Sequence, residues 1–140
     1  MITLTDESRQ LIAMFDEQTT VTPTDCLVDE PYDRIVFVIP VGEMATAIGP
    51  GGQVVRRVEA RVSHQIELVE AADRADAFVA NALTPAAVYN VTVSEGESTV
   101  AYAEVATEDR GVAIGTDGRT IERARALAAR HFDIDDVQLT

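Results

Sequence analysis

The chain has 140 residues, of which 46% are apolar and 25% charged, enough to bury a modest core and too apolar for a disordered tail. No apolar run approaches the roughly 20 residues that cross a bilayer, and acidic residues follow Met1 closely, which argues against an ordinary signal peptide; the expected location is the cytoplasm, with no membrane partner. Asp and Glu number 24 against 11 basic residues, for a formal net charge of −13, and the single cysteine, Cys26, excludes an internal disulfide and a thiolate metal cluster.

Leu4, Ser8, Leu11, Ile12 and Phe15 fall on one stripe of an amphipathic helix entered through Thr5-Asp6-Glu7. Residues 25–29 and 34–39 are β-rich runs separated by Glu30-Pro31-Tyr32-Asp33, a turn sequence, and predict a hairpin. A short helix is expected over 41–47. Val54, Val55, Val58 and Val62 share a helical face, and Ile66 and Leu68 then alternate with Glu67 and Glu70 as a strand with one wet side. A second unit repeats the order: a helix over 73–83 that stops before Pro85, a hairpin of 88–94 and 99–105 around Glu95-Gly96-Glu97-Ser98, a short helix over 108–113, a helix over 119–131 and a strand at 137–139. The pattern is αββααβ twice, an α+β protein with domains at 1–70 and 71–140.

The repeat is visible in the residues themselves. Ala47-Ile48-Gly49-Pro50-Gly51-Gly52 is answered by Ala113-Ile114-Gly115-Thr116-Asp117-Gly118, an offset of 66 (115 minus 49) that also pairs Val55 with Ile121, Arg57 with Arg123 and Ala60 with Ala126. Each loop joins two helices with little side-chain bulk, which would present backbone N–H groups and the positive end of the next helix to an anion such as a phosphate. A single Gly-x-x-Gly more often only caps and joins helices. Two copies at matched depth, each followed two residues later by a β-branched residue, favour a binding role. Arginines collect beside both loops: Arg56, Arg57 and Arg61 after the first, with Gln53, Arg57 and Arg61 at successive i, i+4 positions, and Arg119 and Arg123 after the second, with Arg130 in the same arc opposite Ile121, Ala124 and Ala128. The plainer alternative is that they are solvated arginines paired with Glu59 and Glu122.

Ile48-Gly49-Pro50-Gly51-Gly52-Gln53-Val54-Val55 and Ile114-Gly115-Thr116-Asp117-Gly118-Arg119-Thr120-Ile121 resemble the I-G-x-x-G-x-x-I signature of KH domains. The resemblance covers nearly the whole chain. It implies two tandem type II KH folds, each a three-stranded sheet packed by helices on one face, and single-stranded RNA as the partner, its backbone clamped at the Gly-x-x-Gly loop. The implied RNA-binding residues are Gly49, Pro50, Gly51, Gly52, Gln53, Arg56, Arg57 and Arg61 in the first unit and Gly115, Thr116, Asp117, Gly118, Arg119 and Arg123 in the second. An acidic tandem of this kind resembles the NusA-like transcription termination or antitermination factors of archaea, which implies work on nascent transcripts and contact with RNA polymerase. The variable loop positions depart from the basic pattern common in RNA-binding members. Pro50-Gly51 and Thr116-Asp117 add no positive charge, Pro50 lacks an N–H, and Asp117 would lie near a bound phosphate.

All 11 basic residues are arginine. An acidic, lysine-free composition resembles the proteins of extreme halophiles, whose carboxylate surfaces stay hydrated in concentrated salt. At about 1 M salt the Debye length falls to roughly 3 Å, so local contacts rather than net charge decide whether a polyanion can approach. Other chemistries fit poorly. A dinucleotide fingerprint fails at Val54, a phosphate-loop lysine cannot exist, His64 and His131 are the only histidines, and Ser63 and His64 diverge as neighbours. No enzyme activity, metal or cofactor is expected. The competing reading is a KH-fold scaffold whose acidic surface docks onto RNA polymerase or ribosomal proteins with little RNA affinity of its own. Oligomeric state is not readable.

Overall fold

The computed structural model describes residues 2–140, which divide into two compact units, Thr3–Ala71 and Ala72–Thr140, Ile2 grouping with the latter. In the first unit the elements are α1 (Asp6–Thr19), β1 (Asp25–Asp29), β2 (Arg34–Ile39), α2 (Met44–Ile48), α3 (Gln53–Val62) and β3 (Gln65–Glu70). The second holds α4 (Ala75–Ala82), β4 (Val88–Glu95), β5 (Thr99–Val105), α5 (Arg110–Ile114), α6 (Arg119–Phe132) and β6 (Asp136–Leu139). Each unit therefore has the αββααβ order, and each sheet sets a central strand antiparallel to its hairpin partner and parallel to the strand after the long helix: β1-β2-β3 and β4-β5-β6.

Local chemistry explains the element ends. The Thr5 Oγ1 caps α1 by accepting the Ser8 N–H at 3.0 Å, with Asp6 and Glu7 in the favourable first turn. The Ser8 hydroxyl, on the buried stripe, donates to the Cys26 carbonyl at 2.9 Å and ties α1 to β1. Leu4, counted in that stripe from the sequence, precedes the helix. The short helix expected at 41–47 begins only at Met44, because Gly42 takes φ +82° and a turn closes from the Glu43 N–H to the Pro40 carbonyl. Likewise Thr107–Asp109 is a single 3-10 turn before α5.

In the first unit Ile35, Phe37 and Ile39 of β2 pack with Phe15 of α1, Ala47 of α2 and Val58 of α3; the Phe15 and Phe37 rings lie 4.6 Å apart. The wet side expected for β3 is not wet. Val69 is fully buried, and Glu67 is drawn into an ion pair with Arg34, whose side chain has no exposed surface. Arg34 Nε donates to Asp29 Oδ2 at 2.8 Å and its Nη1 to Glu67 Oε1 at 3.0 Å, with the Tyr32 ring 4.6 Å from the guanidinium carbon. One arginine thus joins β1, β2 and β3 in a row. The second unit has a smaller-residue core, including Ala101, Ala103, Ala124, Leu127 and Val137, with Phe78 against Phe132 at 5.4 Å. Its hairpin carries a bulge at Tyr89, between the pairs Val88–Val105 and Asn90–Glu104.

Removing the charge at the centre of the strand row leaves two carboxylates facing it without a counter-ion. Arg34→Ala should lower the unfolding free energy by about 3 kcal/mol, read from denaturant melts in molar KCl; a change within experimental scatter would show that the row is incidental.

Candidate nucleic-acid interface

Two corners repeat almost angle for angle. Gly49 closes α2 by donating its N–H to the Ala45 carbonyl at 2.9 Å, and Gly115 closes α5 on the Gly111 carbonyl at the same distance. The dihedrals are +76°/170° at Gly49 and +81°/167° at Gly115, +60°/21° at Gly51 and +55°/27° at Asp117, +78°/14° at Gly52 and +77°/12° at Gly118. The first glycine is required by space as well as angle. A Cβ there would lie 2.3 Å from Val54 Cγ2 in the first corner and 2.5 Å from Thr120 Oγ1 in the second. The β-branched residue two places after each loop is therefore the wall against which the bare Cα rests. A Cβ at Gly51 would meet nothing within 4 Å.

Pro50, Gly51, Thr116 and Asp117 are exposed, so both corners face solvent. The backbone is less bare than the sequence suggests. The Gly52 N–H is donated to the Gly49 carbonyl at 3.1 Å and the Gln53 N–H to the Pro50 carbonyl, and Pro50 has no N–H, which leaves Gly51 as the loop amide with no acceptor among the described residues. Positive charge comes from α3 instead. The Arg56 Nη1 lies over the corner, 3.2 Å from where a Cβ on Gly52 would stand. Gln53, Arg56, Arg57 and Ala60 line a broad open depression of about 460 Å³ beside it. Arg56, Arg57 and Arg61 are exposed and have no ion-pair or hydrogen-bond partner among the described residues; Glu59, the candidate partner, instead accepts the Ile66 N–H at 3.3 Å.

The second unit is built differently. Arg123, expected on the binding face, is buried at 8% exposure: its Nε and Nη2 donate to the Ala82 carbonyl at 3.2 and 3.0 Å, and Nη2 also to the Thr84 carbonyl at 2.7 Å. It closes the end of α4, whose last carbonyls lack helical donors. Glu122 occupies the place of Arg56 (56 plus 66) and binds Arg125 Nη1 at 2.6 Å, while Arg125 Nε reaches Asp136 at 2.9 Å. A hydrogen bond from Gln138, with further ones from the Val137 N–H and Arg125, holds the Asp136 carboxyl below its ordinary range. Arg119 is half-buried at the start of α6. Two residues were passed over in the sequence: Ile48 and Ile114, the last helical positions before each corner, remain 39% and 43% exposed. Their only signal was the matched repeat, since an isoleucine in a helix ordinarily reads as core. His64 hydrogen-bonds Asp33 at 3.0 Å, His131 packs on Phe78, Cys26 is buried, and no group of three or more metal-ligating side chains comes together among the described residues.

Residues 10–98 match the family model for the KH domain, a match that runs past the junction between the two units, and residues 75–139 match that for the NusA-like second KH domain. The "Probable transcription termination protein NusA" of Halobacterium salinarum is 62% identical over 139 residues, 99% of each chain. The NusA protein of Halococcus morrhuae is 56% identical over 138 residues, 99% of this chain and 98% of its own. The chain belongs to the NusA family. The crystal structure of APE1850 has the same fold, with a TM-score of 0.88 at 29% identity over 98% of this chain and 100% of that one. The two glycine corners are thus the Gly-x-x-Gly loops of two NusA-type KH domains, and the kinship with haloarchaeal proteins accords with the acidic, lysine-free composition.

Equivalent positions in these two KH domains should respond oppositely to the same change. Arg123→Ala strands the carbonyls at the end of α4 and should cost about 2–3 kcal/mol of stability, whereas Arg57→Ala, on an exposed face, should stay within about 0.5 kcal/mol of the parent. Denaturant melts of the two variants decide this, and equal losses would contradict the difference in placement.

Proposed function

We propose that this NusA-family chain binds single-stranded RNA as a transcription termination and antitermination factor, without covalent chemistry, in the cytoplasm and in company with RNA polymerase. Residues 1–70 and 71–140 each serve as one KH domain. In the first, the strand passes over Gly49-Pro50-Gly51-Gly52, a phosphate oxygen taking the Gly51 N–H, with Gln53, Arg56, Arg57 and Arg61 along the same helix and the exposed Ile48 offering an apolar rest for a base. In the second, Gly115-Thr116-Asp117-Gly118 forms the matching corner beside Ile114 and Arg119. Such contacts hold and orient a transcript; termination or antitermination then follows from which RNA segment is kept apart from its pairing partners.

The observation that carries this reading is the open first corner, with an amide lacking an acceptor among the described residues and a guanidinium above its last glycine. In KH domains a loop of this kind clamps the backbone of about four nucleotides.

Anisotropy titrations with short fluorescent single-stranded RNAs in molar KCl test it, together with the double variant Gly51→Asp, Gly52→Asp. The fold should survive: Asp117 already adopts the Gly51 angles, and at Gly52 the new Cβ meets only the far end of Arg56, while its φ of +78° adds the strain of one left-handed side chain, a conformation that Asp33 and Asp133 also take. RNA affinity should fall about tenfold or more, equal to at least ~1.4 kcal/mol. Unchanged affinity in a folded variant would remove the loop from the function.

A further inference from the structure

We infer that the two KH domains are electrostatically unequal: the grip on the RNA backbone resides in Arg56, Arg57 and Arg61 of α3, and α6 sets only Arg119 against these three. This rests on the RNA-binding reading above and adds a division of labour to it. The corners are matched in backbone to within a few degrees, so the backbone does not distinguish them. Their side chains do. Along the 66-residue offset, Gly51 becomes Asp117, Arg56 becomes Glu122, Arg61 becomes Leu127, and Arg57 becomes Arg123, which is withdrawn into the α4–α6 contact. Of the three cationic positions of α3, one is reversed in charge in α6, one is apolar and buried, and one is spent on backbone carbonyls. The other cation near the second corner with a printed partner, Arg125, is held between Glu122 and Asp136.

Net charge does not obscure this difference in concentrated salt. With a Debye length of roughly 3 Å at about 1 M, a strand responds to groups it touches and little else. At the first corner it touches three guanidinium groups that have no carboxylate to release among the described residues; at the second it meets Asp117 on the loop itself. The first domain therefore sets affinity and salt dependence, and the second reads the strand by shape and apolar contact at Ile114.

The test is the slope of log affinity against log KCl, measured for short single-stranded RNA on the full chain across the salt range in which circular dichroism shows it folded. Each phosphate neutralised on a single strand contributes a slope of about −0.7. The triple variant Arg56→Gln, Arg57→Gln, Arg61→Gln should flatten the slope by about 2, the sum of three such contacts. Arg119→Gln should flatten it by at most about 0.7. The transplant Asp117→Gly, Glu122→Arg should tighten binding and steepen the slope. Equal flattening from the first and second domains, or a triple variant with the parent's slope, would overturn the inequality while leaving RNA binding itself in place. Failure of the parent chain to bind any single-stranded RNA would instead overturn the underlying reading.

Discussion

The structure depends on a missing carbon. At Gly49 and again at Gly115 there is no room for a Cβ, because the first turn of the following helix presses Val54 or Thr120 against the Cα. That approach fixes the angle between the short and long helices; the next two residues, Pro50-Gly51 or Thr116-Asp117, stand in solvent, and left-handed dihedrals follow at Gly51 and Gly52 and at Asp117 and Gly118. Everything that recognises RNA in the proposed account is hung on this junction: the Gly51 amide, the Arg56 guanidinium above Gly52 and the exposed Ile48 just before it. The junction is supported from below by Ala47 and Ala113, both fully buried, whose small size lets the short helix sit close to its domain core.

On that support the two domains carry different chemistry. The first spends one arginine, Arg34, inside its sheet and leaves three on the surface of α3; the second spends Arg123 inside and pairs Arg125. A chain with a net charge of −13 that nevertheless keeps three arginines unpaired among the described residues beside one loop concentrates its positive potential where contact is made. In dilute buffer the surrounding carboxylates would repel a polyanion; in the concentrated salt that an acidic, lysine-free surface is suited to, only contact distances matter.

The repeat, the element order and the location of both corners were legible because they depend on local pattern: apolar periodicity, a proline-bearing hairpin turn and a glycine pair written twice at one spacing. What was not legible depended on partners distant in sequence. Arg123 shares a register with Arg57, yet the last carbonyl of α4, at Ala82, and that of Thr84 in the turn beyond it require a donor, whereas α1 closes itself through the Thr20 N–H and the Thr19 hydroxyl. Glu67 looked like a solvated position because alternation alone cannot announce an arginine buried on the neighbouring strand. The amides of Gly52 and Gln53 looked available because a Gly-x-x-Gly sequence does not reveal that its 3-10 turn consumes them. The start of α2 was misplaced by three residues because the Pro40–Glu43 turn is closed by Gly42 at a positive φ.

The most direct test of the central claim follows the glycine amides themselves. In a ¹⁵N-labelled chain titrated with short single-stranded RNA in molar KCl, the Gly51 N–H, which has no acceptor among the described residues, should shift downfield as a phosphate oxygen takes it, with the Arg56 Nε–H moving in parallel. Saturable RNA binding that leaves Gly51 and Arg56 unmoved while resonances elsewhere shift would contradict the account, because the strand would then be held on some other face.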